Sequence, residues 1–313
     1  MVPPGIVLAV IVLFAALIVD RLIGDPHSPY HPVALLGRFI GWWGKPDLYP
    51  VSIQRLMGVI LWAVTLGLFT LPFFLFATFA PSLLYLLAAP FLLKCCFAWR
   101  ALEEHTLAVV EAVKNGVSEG REKVKMLVSR DTAQLDRDHI LSAGYESMTE
   151  NLTDSIISPL LYFSLFGLAG AAVLRAVNTM DAMLGYRDER ERLGWCSARM
   201  DDVLNYIPAR VTVLLLLVYF TTQGRLTQAV RVLRRDGRNR PGFNGGIVMA
   251  AMAGGTGIRF EKPGVYSIGD GEKTLDEAGP EILQATRVVT LYFALIAGGT
   301  LILLGSLINS TGI

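Results

Sequence analysis

Between Gly144 and Arg210 the sequence concentrates residues equipped for chemistry. Glu146, Glu150 and Asp154 recur at intervals of four, with Asn151 beside them. On an α-helix that spacing stacks three carboxylates along one face. Like charges so placed repel, and a bound Mg²⁺ would relieve them, because it takes carboxylate and phosphate oxygens together. The same spacing also suits a solvated polar face leading into the apolar run that follows, and the residues alone leave both readings open. Asn178 and Asp181 form a second polar pair, and Asp201, Asp202 and Asn205 a third group suited to metal or nucleotide. Arg187 and Arg190 suit a bidentate clamp on phosphate or carboxylate, or snorkelling at a membrane interface. Arg199 adds a further cation, and Arg210 follows Pro208 at the head of an apolar run, where a paired role is favoured.

Two charged turns lie outside this stretch. Asp20 and Gly24-Asp25-Pro26 are followed by His31-Pro32 and Arg38. His27 and His31 are four apart, but Pro26, Pro29 and Pro32 exclude a regular helix, so a two-histidine metal site is not expected. A rigid turn presenting Asp25, His31 and Arg38 is the better reading. Arg130 to Asp136 makes the second charged turn, just ahead of the central helix.

The elements that must position these groups are membrane helices. Only 18% of the 313 residues are charged, below the roughly 25% usual for soluble domains, and 53% are hydrophobic. Val2–Val19, Leu56–Phe79, Leu83–Trp99 and Val288–Leu307 are each long enough to span. Residues 156–177 carry Pro159, Gly167 and Gly170, and 211–220 is short, so these two read as a broken or re-entrant pair. The expectation is an all-α, polytopic integral membrane protein with cytoplasmic helical loops. Residues 1–313 read as a single membrane-embedded catalytic domain centred on 144–210.

Lysine and arginine crowd 20–55, 99–154 and 223–287, which places those loops in the cytoplasm and both termini outside. Cytoplasmic access for 178–206 is expected on the same grounds. The N-terminal run lacks a basic n-region and reads as a retained span rather than a signal peptide. Residues 100–130 read as polar helix broken at Asn115-Gly116, and 229–235 as a basic amphipathic piece for the membrane surface. Residues 241–257 are crowded with Gly and Ala, suited to close packing or to a ligand-approach loop.

A net charge of +1 gives no case for nucleic acid. Cys95, Cys96 and Cys196 have no metal-binding spacing and read as inert apolar residues. Residues 267–274 only echo a phosphate-binding loop, and 254–257 fails the dinucleotide fingerprint.

Five motifs in order carry a resemblance. They are Asp20 with Gly24-Asp25-Pro26, His31-Pro32-Val33 and Gly37-Arg38; Arg130-Asp131-Thr132 with Leu135-Asp136; and Glu146-Ser147, Glu150-Asn151 and Asp154. Then come Arg175-Ala176, Asn178-Thr179, Asp181, Met183, Gly185-Tyr186-Arg187 and Glu189-Arg190, and last Ala198-Arg199, Asp201-Asp202, Asn205 and Pro208-Ala209-Arg210. Together they resemble the CobD/CbiB family of cobalamin biosynthesis, from Asp20 to about Lys262. The resemblance implies a multi-pass membrane enzyme, adenosylcobinamide-phosphate synthase. Such an enzyme joins adenosylcobyric acid, a corrinoid, to 1-amino-2-propanol phosphate or ethanolamine phosphate, with ATP as co-substrate and Mg²⁺. It implies a site facing the cytoplasm at the cell membrane, where other corrin-pathway enzymes are possible partners.

That chemistry needs carboxylates for metal and arginines for phosphates. Glu146, Glu150, Asp181 and Asp202 are the catalytic candidates, and Glu146, Glu150, Asp154, Asp181 and Asp201 the metal candidates. Asp25, His31, Arg38, Arg130, Asn151, Asn178, Arg187, Arg190, Arg199, Asn205, Arg210 and Asn244 are the candidates for binding substrate or phosphate. One stretch departs from the family pattern: Asn244 and Gly246 are kept, but Ile247-Val248 stands where a Pro-Glu pair is usual. A non-catalytic membrane regulator related to the family and an anionic-solute transporter are the competing readings.

Overall fold

The computed structural model describes residues 4–25 and 28–311. Its elements in chain order are α1 (Pro4–Ile23), α2 (Pro32–Trp43), α3 (Gln54–Phe79), α4 (Ser82–Lys94), α5 (Trp99–Asn115), α6 (Val117–Val124) and α7 (Arg137–Asn151). A π-helical turn over Leu152–Ile157 leads to α8 (Ser158–Leu184), α9 (Trp195–Leu204), α10 (Tyr206–Thr222), α11 (Leu226–Asp236) and α12 (Gly245–Thr256). The hairpin β1 (Arg259–Lys262) and β2 (Tyr266–Gly269) precedes α13 (Leu275–Thr311). Pro26 and His27 lie outside the described residues, as do the first residues of the expected N-terminal span.

Five helical stretches are long and apolar enough to cross a membrane: Gly5–Ile23, Gln54–Phe79, Ser82–Asn115, Arg137–Leu184 and Leu275–Leu307. Trp195–Leu204 and Tyr206–Thr222 qualify only together, as a bent pair. The protein is thus an all-α, polytopic membrane protein with one small hairpin. The four expected spans are present. Residues 156–177 join the preceding helix to make a fifth, and 211–220 falls in the bent pair.

The chain forms two compact units, each built from separated segments. The first comprises Met1–Ala98, Ser158–Asn205 and Ala294–Ile313. Its core sets Leu36, Ile40 and Trp43 of α2 against Ala176, Met180 and Leu184 of α8 and against Leu193. The Trp43 indole N–H donates to Thr65 Oγ1 at 3.0 Å, so the ring buries its bulk and satisfies its one polar atom on α3. Within α8, Gly167 breaks the helix at φ 67°, ψ −158°, a backbone region essentially reserved for glycine.

The second unit comprises Trp99–Ile157 and Tyr206–Phe293. The polar helix expected over 100–130 is α5 and α6, broken at Gly116 as its Asn-Gly signal requires. Every residue of α12 except Ile247 is buried. Gly254 brings α12 against the Gln228 carbonyl of α11, and Gly255 brings it against the Phe220 ring of α10, so that a methyl group at either position would collide. The Gly/Ala stretch therefore serves close helix packing. The basic amphipathic piece forms α11, with Ala229 and Val232 buried.

Candidate functional site

In the second unit, α7 carries its polar residues toward a cavity of about 260 Å³. Asp136 starts the helix by accepting the His139 N–H at 2.9 Å, the usual device for an otherwise unpaired first-turn donor. Nearly three turns on, Glu146 is almost completely buried and makes three bonds. It pairs with Arg130, accepts from the Tyr266 hydroxyl at 2.6 Å, and accepts from Ser142 Oγ at 2.5 Å. Ser142 in turn accepts the Glu261 N–H at 2.8 Å, which ties the edge of the hairpin to α7. Glu150 accepts from Arg240 Nη2 at 2.6 Å.

Register explains the hairpin's contribution. Lys262 and Tyr266 are cross-strand partners beside the turn, so both project from the same face, and both line the cavity. The far end of the hairpin is fixed by the Gly269 N–H, which donates to the buried Asp236 at 2.8 Å. Three cations, Arg130, Arg240 and Lys262, thus face one small space with two carboxylates. Arg130 Nη1 is buried without a hydrogen-bond partner, and Lys262 forms no ion pair among the described residues.

The electrostatics follow from this crowding. Burial lowers the Lys262 pKa, the neighbouring Arg130 and Arg240 lower it further, and Glu146 and Glu150 oppose them. Burial would also lower Arg240, but Glu150, Tyr266 and Asp154 outweigh it and hold the guanidinium above its ordinary value. The Tyr266 hydroxyl is raised by burial and then by Glu146, so it stays a donor at neutral pH.

The other expected residues fall into two groups. In the second unit, Asn151 donates to the Ser147 carbonyl at 2.9 Å and borders the same cavity. Asp154 acts on Arg240 but lies in the π-helical turn. Glu150 and Asp154 therefore act on the same guanidinium across the change from α- to π-helical geometry. Arg210 donates to Asn244 Oδ1 at 2.8 Å and lies over the Tyr206 ring. This is the paired role its position predicts.

In the first unit, Asn178 and Asp181 lie on α8, and Gly185 fits so tightly against Asp181 that a Cβ there would overlap its carboxylate. Arg190 closes a local turn with Asp188 and lies 4.0 Å from the Tyr186 ring centroid, while Arg187 and Arg199 are exposed. Asn205 is fully buried, donating to Asp201 at 2.9 Å and accepting from Ser158. Asp202, beside Asp201 on α9, is half-buried. Arg38 donates to the Pro29 carbonyl at 2.8 Å, and Asp25 and His31 lie at a separate cavity. Among the described residues no three His, Cys, Asp or Glu gather as a metal site.

Sequence reasoning missed Tyr266, Lys262, Arg240 and Ser142. Arg240 and Lys262 were visible only as scattered cations, because nothing local in the sequence indicates which turn of a hairpin folds over which helix.

Fold and pocket together define the class: a polytopic helical membrane protein with a small pocket lined by arginine, lysine and carboxylate. The chain belongs to the CobD/CbiB family, whose model, described as CobD/Cbib protein, matches residues 13–292. It is 39% identical to the probable cobalamin biosynthesis protein CobD of Methanothermobacter thermautotrophicus, over 94% of this chain and 98% of that one. The probable CobD of Pyrococcus abyssi is 43% identical, over 89% of this chain and 92% of its own. The cobalamin biosynthesis protein CobD of Dehalococcoides mccartyi is 34% identical, over 83% and 86%. No solved structure matches the chain.

Proposed function

We propose that this protein acts in cobalamin biosynthesis as an ATP-dependent amide-forming ligase, adenosylcobinamide-phosphate synthase. The observation that carries the reading is the pocket where Arg130, Arg240 and Lys262 meet Glu146 and Glu150. A carboxylate resists attack by an amine until one of its oxygens can leave. In this reading the free carboxylate of adenosylcobyric acid attacks the γ-phosphorus of ATP and ADP departs. The amine nitrogen then attacks the acyl carbon, releasing phosphate and a proton. The phosphoryl step is largely positioning and charge neutralisation, which is what converging cations supply.

Arg240 and Lys262 would hold the transferring phosphoryl oxygens, and Arg130, fixed by Glu146, would present its unbonded Nη1 to the same group. Glu150 and Asp154 both bear on Arg240 and offer the hard oxygen donors that Mg²⁺ prefers, so they would hold that ion. Once bound, Mg²⁺ would neutralise phosphate charge. ATP supply argues for a cell-membrane protein whose pocket opens to the cytoplasm.

The test is ADP release by detergent-purified protein given Mg²⁺ and adenosylcobyric acid, with either aminopropanol phosphate or ethanolamine phosphate, and product mass as a check. Release that requires both corrinoid and amine supports the ligase and identifies the donor. Folded protein that releases no ADP with either amine removes this reading.

A further inference from the structure

The first unit holds a second charged cavity, of about 440 Å³, which the reaction above does not use. Asp25, Ser28, His31, Cys95 and Arg175 are in its wall, together with Val33 and Ala34 at the start of α2. Charges among apolar helices are costly and mark function by default. The carboxylate in the wall is already paired. Buried Lys94, at the end of α4, pairs with Asp25 and lies 3.6 Å from Asp20.

The donors are not served. Arg175 forms no ion pair among the described residues, and its buried Nε has no hydrogen-bond partner. His31 accepts the Val33 N–H through Nδ1 at 3.3 Å, so the neutral ring carries its proton on Nε2. Burial lowers the His31 pKa against the pull of Asp25, with Lys94 and Arg175 lowering it further, which favours that neutral ring. His31 Nε2 is buried and without a hydrogen bond, with Asp25 Oδ1 no closer than 3.9 Å. The positive end of α2 opens onto the same space. A guanidinium, an imidazole N–H and a helix N-terminus therefore converge, and Lys94, paired with Asp25, offsets one of the two nearby carboxylate charges.

We infer that this cavity is a second binding site, for a phosphate-type oxyanion held by Arg175, His31 and the start of α2. The inference does not rest on the ligase reading. The oxyanion belongs either to a soluble phosphate compound or to a phospholipid headgroup.

Cys95 provides a probe inside the cavity, with buried Cys96 and Cys196 as internal references. Full-length protein in lipid-free detergent is treated with iodoacetamide at mildly alkaline pH, and each cysteine is followed by mass spectrometry. Inorganic phosphate should slow Cys95 alkylation saturably, by about tenfold. Arg175→Gln should abolish the protection and Arg240→Gln, in the other pocket, should leave it intact. Protection only in nanodiscs containing phosphatidylglycerol would make the headgroup the source. Equal protection in wild type and Arg175→Gln, or none in either medium, overturns the site.

Equilibrium dialysis with radiolabelled phosphate covers an unreactive Cys95. Arg240→Gln protein should bind one equivalent and the Arg175→Gln/Arg240→Gln double variant none; equal binding by the two also overturns it. If Arg175→Gln does not fold, Arg175→Lys replaces it and should weaken phosphate about tenfold, since lysine lacks the planar fork. Unchanged affinity in that variant counts against the site.

Discussion

Glu150 on α7 and Arg240, ninety residues further along the chain, share a 2.6 Å bond at the mouth of the polar cavity. Gly245 leaves room for it, since a Cβ there would strike the Arg240 guanidinium. Glu150→Gln keeps the shape and removes the charge. In the ligase reading it should lower ADP release by about a hundredfold or more, the scale seen when one charge-stabilising group is lost. Membrane-fraction yield should match wild type. Wild-type turnover would take Glu150 off the functional list, and the same assay on Asp181→Asn asks the same question of α8.

Glu146 and Arg130 form the more buried pair, with side chains 4% and 11% exposed. Removing one member of such a pair strands the other charge, which costs about 3–5 kcal/mol, whereas removing both is far milder. Glu146→Gln should therefore unfold at a clearly lower temperature than Glu146→Gln/Arg130→Met. Thermal unfolding in detergent decides it. If the double variant is the less stable of the two, the pair does not behave as a buried ion couple.

Lys262 makes the pocket sensitive to alkali. Its folded pKa is lowered from 10.5, so the ammonium loses its proton at a lower pH than an ordinary lysine. As pH rises through that lowered value the pocket loses a positive charge, and the KM for ATP should rise. Lys262→Arg keeps its charge to above pH ~12, so its KM should stay flat over the same interval. Superimposable pH profiles would show that Lys262 does not meet phosphate.

Gly167 separates backbone strain from steric crowding. Beyond its own stretch of helix backbone nothing lies within 4 Å of the position a Cβ would take, yet the backbone sits at φ 67°. Gly167→Ala should cost about 1–3 kcal/mol from conformation alone. Gly67→Ala, in regular helix and equally uncrowded, should be neutral or stabilising by up to about 1 kcal/mol. Equal melting temperatures for the two variants would mean that α8 is continuous at 167.

The membrane fold was legible because span length is a physical requirement that apolar runs such as Gln54–Phe79 and Leu275–Leu307 advertise directly. The Gly116 break was legible for a similar reason, as a local conformational signal. Two things were not. The π-helical turn at Leu152–Ile157 depends on one displaced hydrogen-bond pattern, invisible to any count of spacing. Lys94 was overlooked because it stands alone in an apolar run, and Arg175 was read only as the head of a motif. Their meaning arises only in three dimensions, where Arg175 lines a cavity with Asp25 and His31 and Lys94 pairs with that Asp25.

The hairpin sets a clock on assembly. Glu146 leaves the ribosome 120 residues ahead of Tyr266, its hydroxyl partner. At synthesis rates of about 5–20 residues per second, roughly 6–24 s pass before that partner exists. Through that interval Arg130 and Ser142, both already made, are the partners among the described residues available to the carboxylate. Arg130 thus stands as escort to Glu146 during biogenesis, well before any ligand reaches the finished pocket.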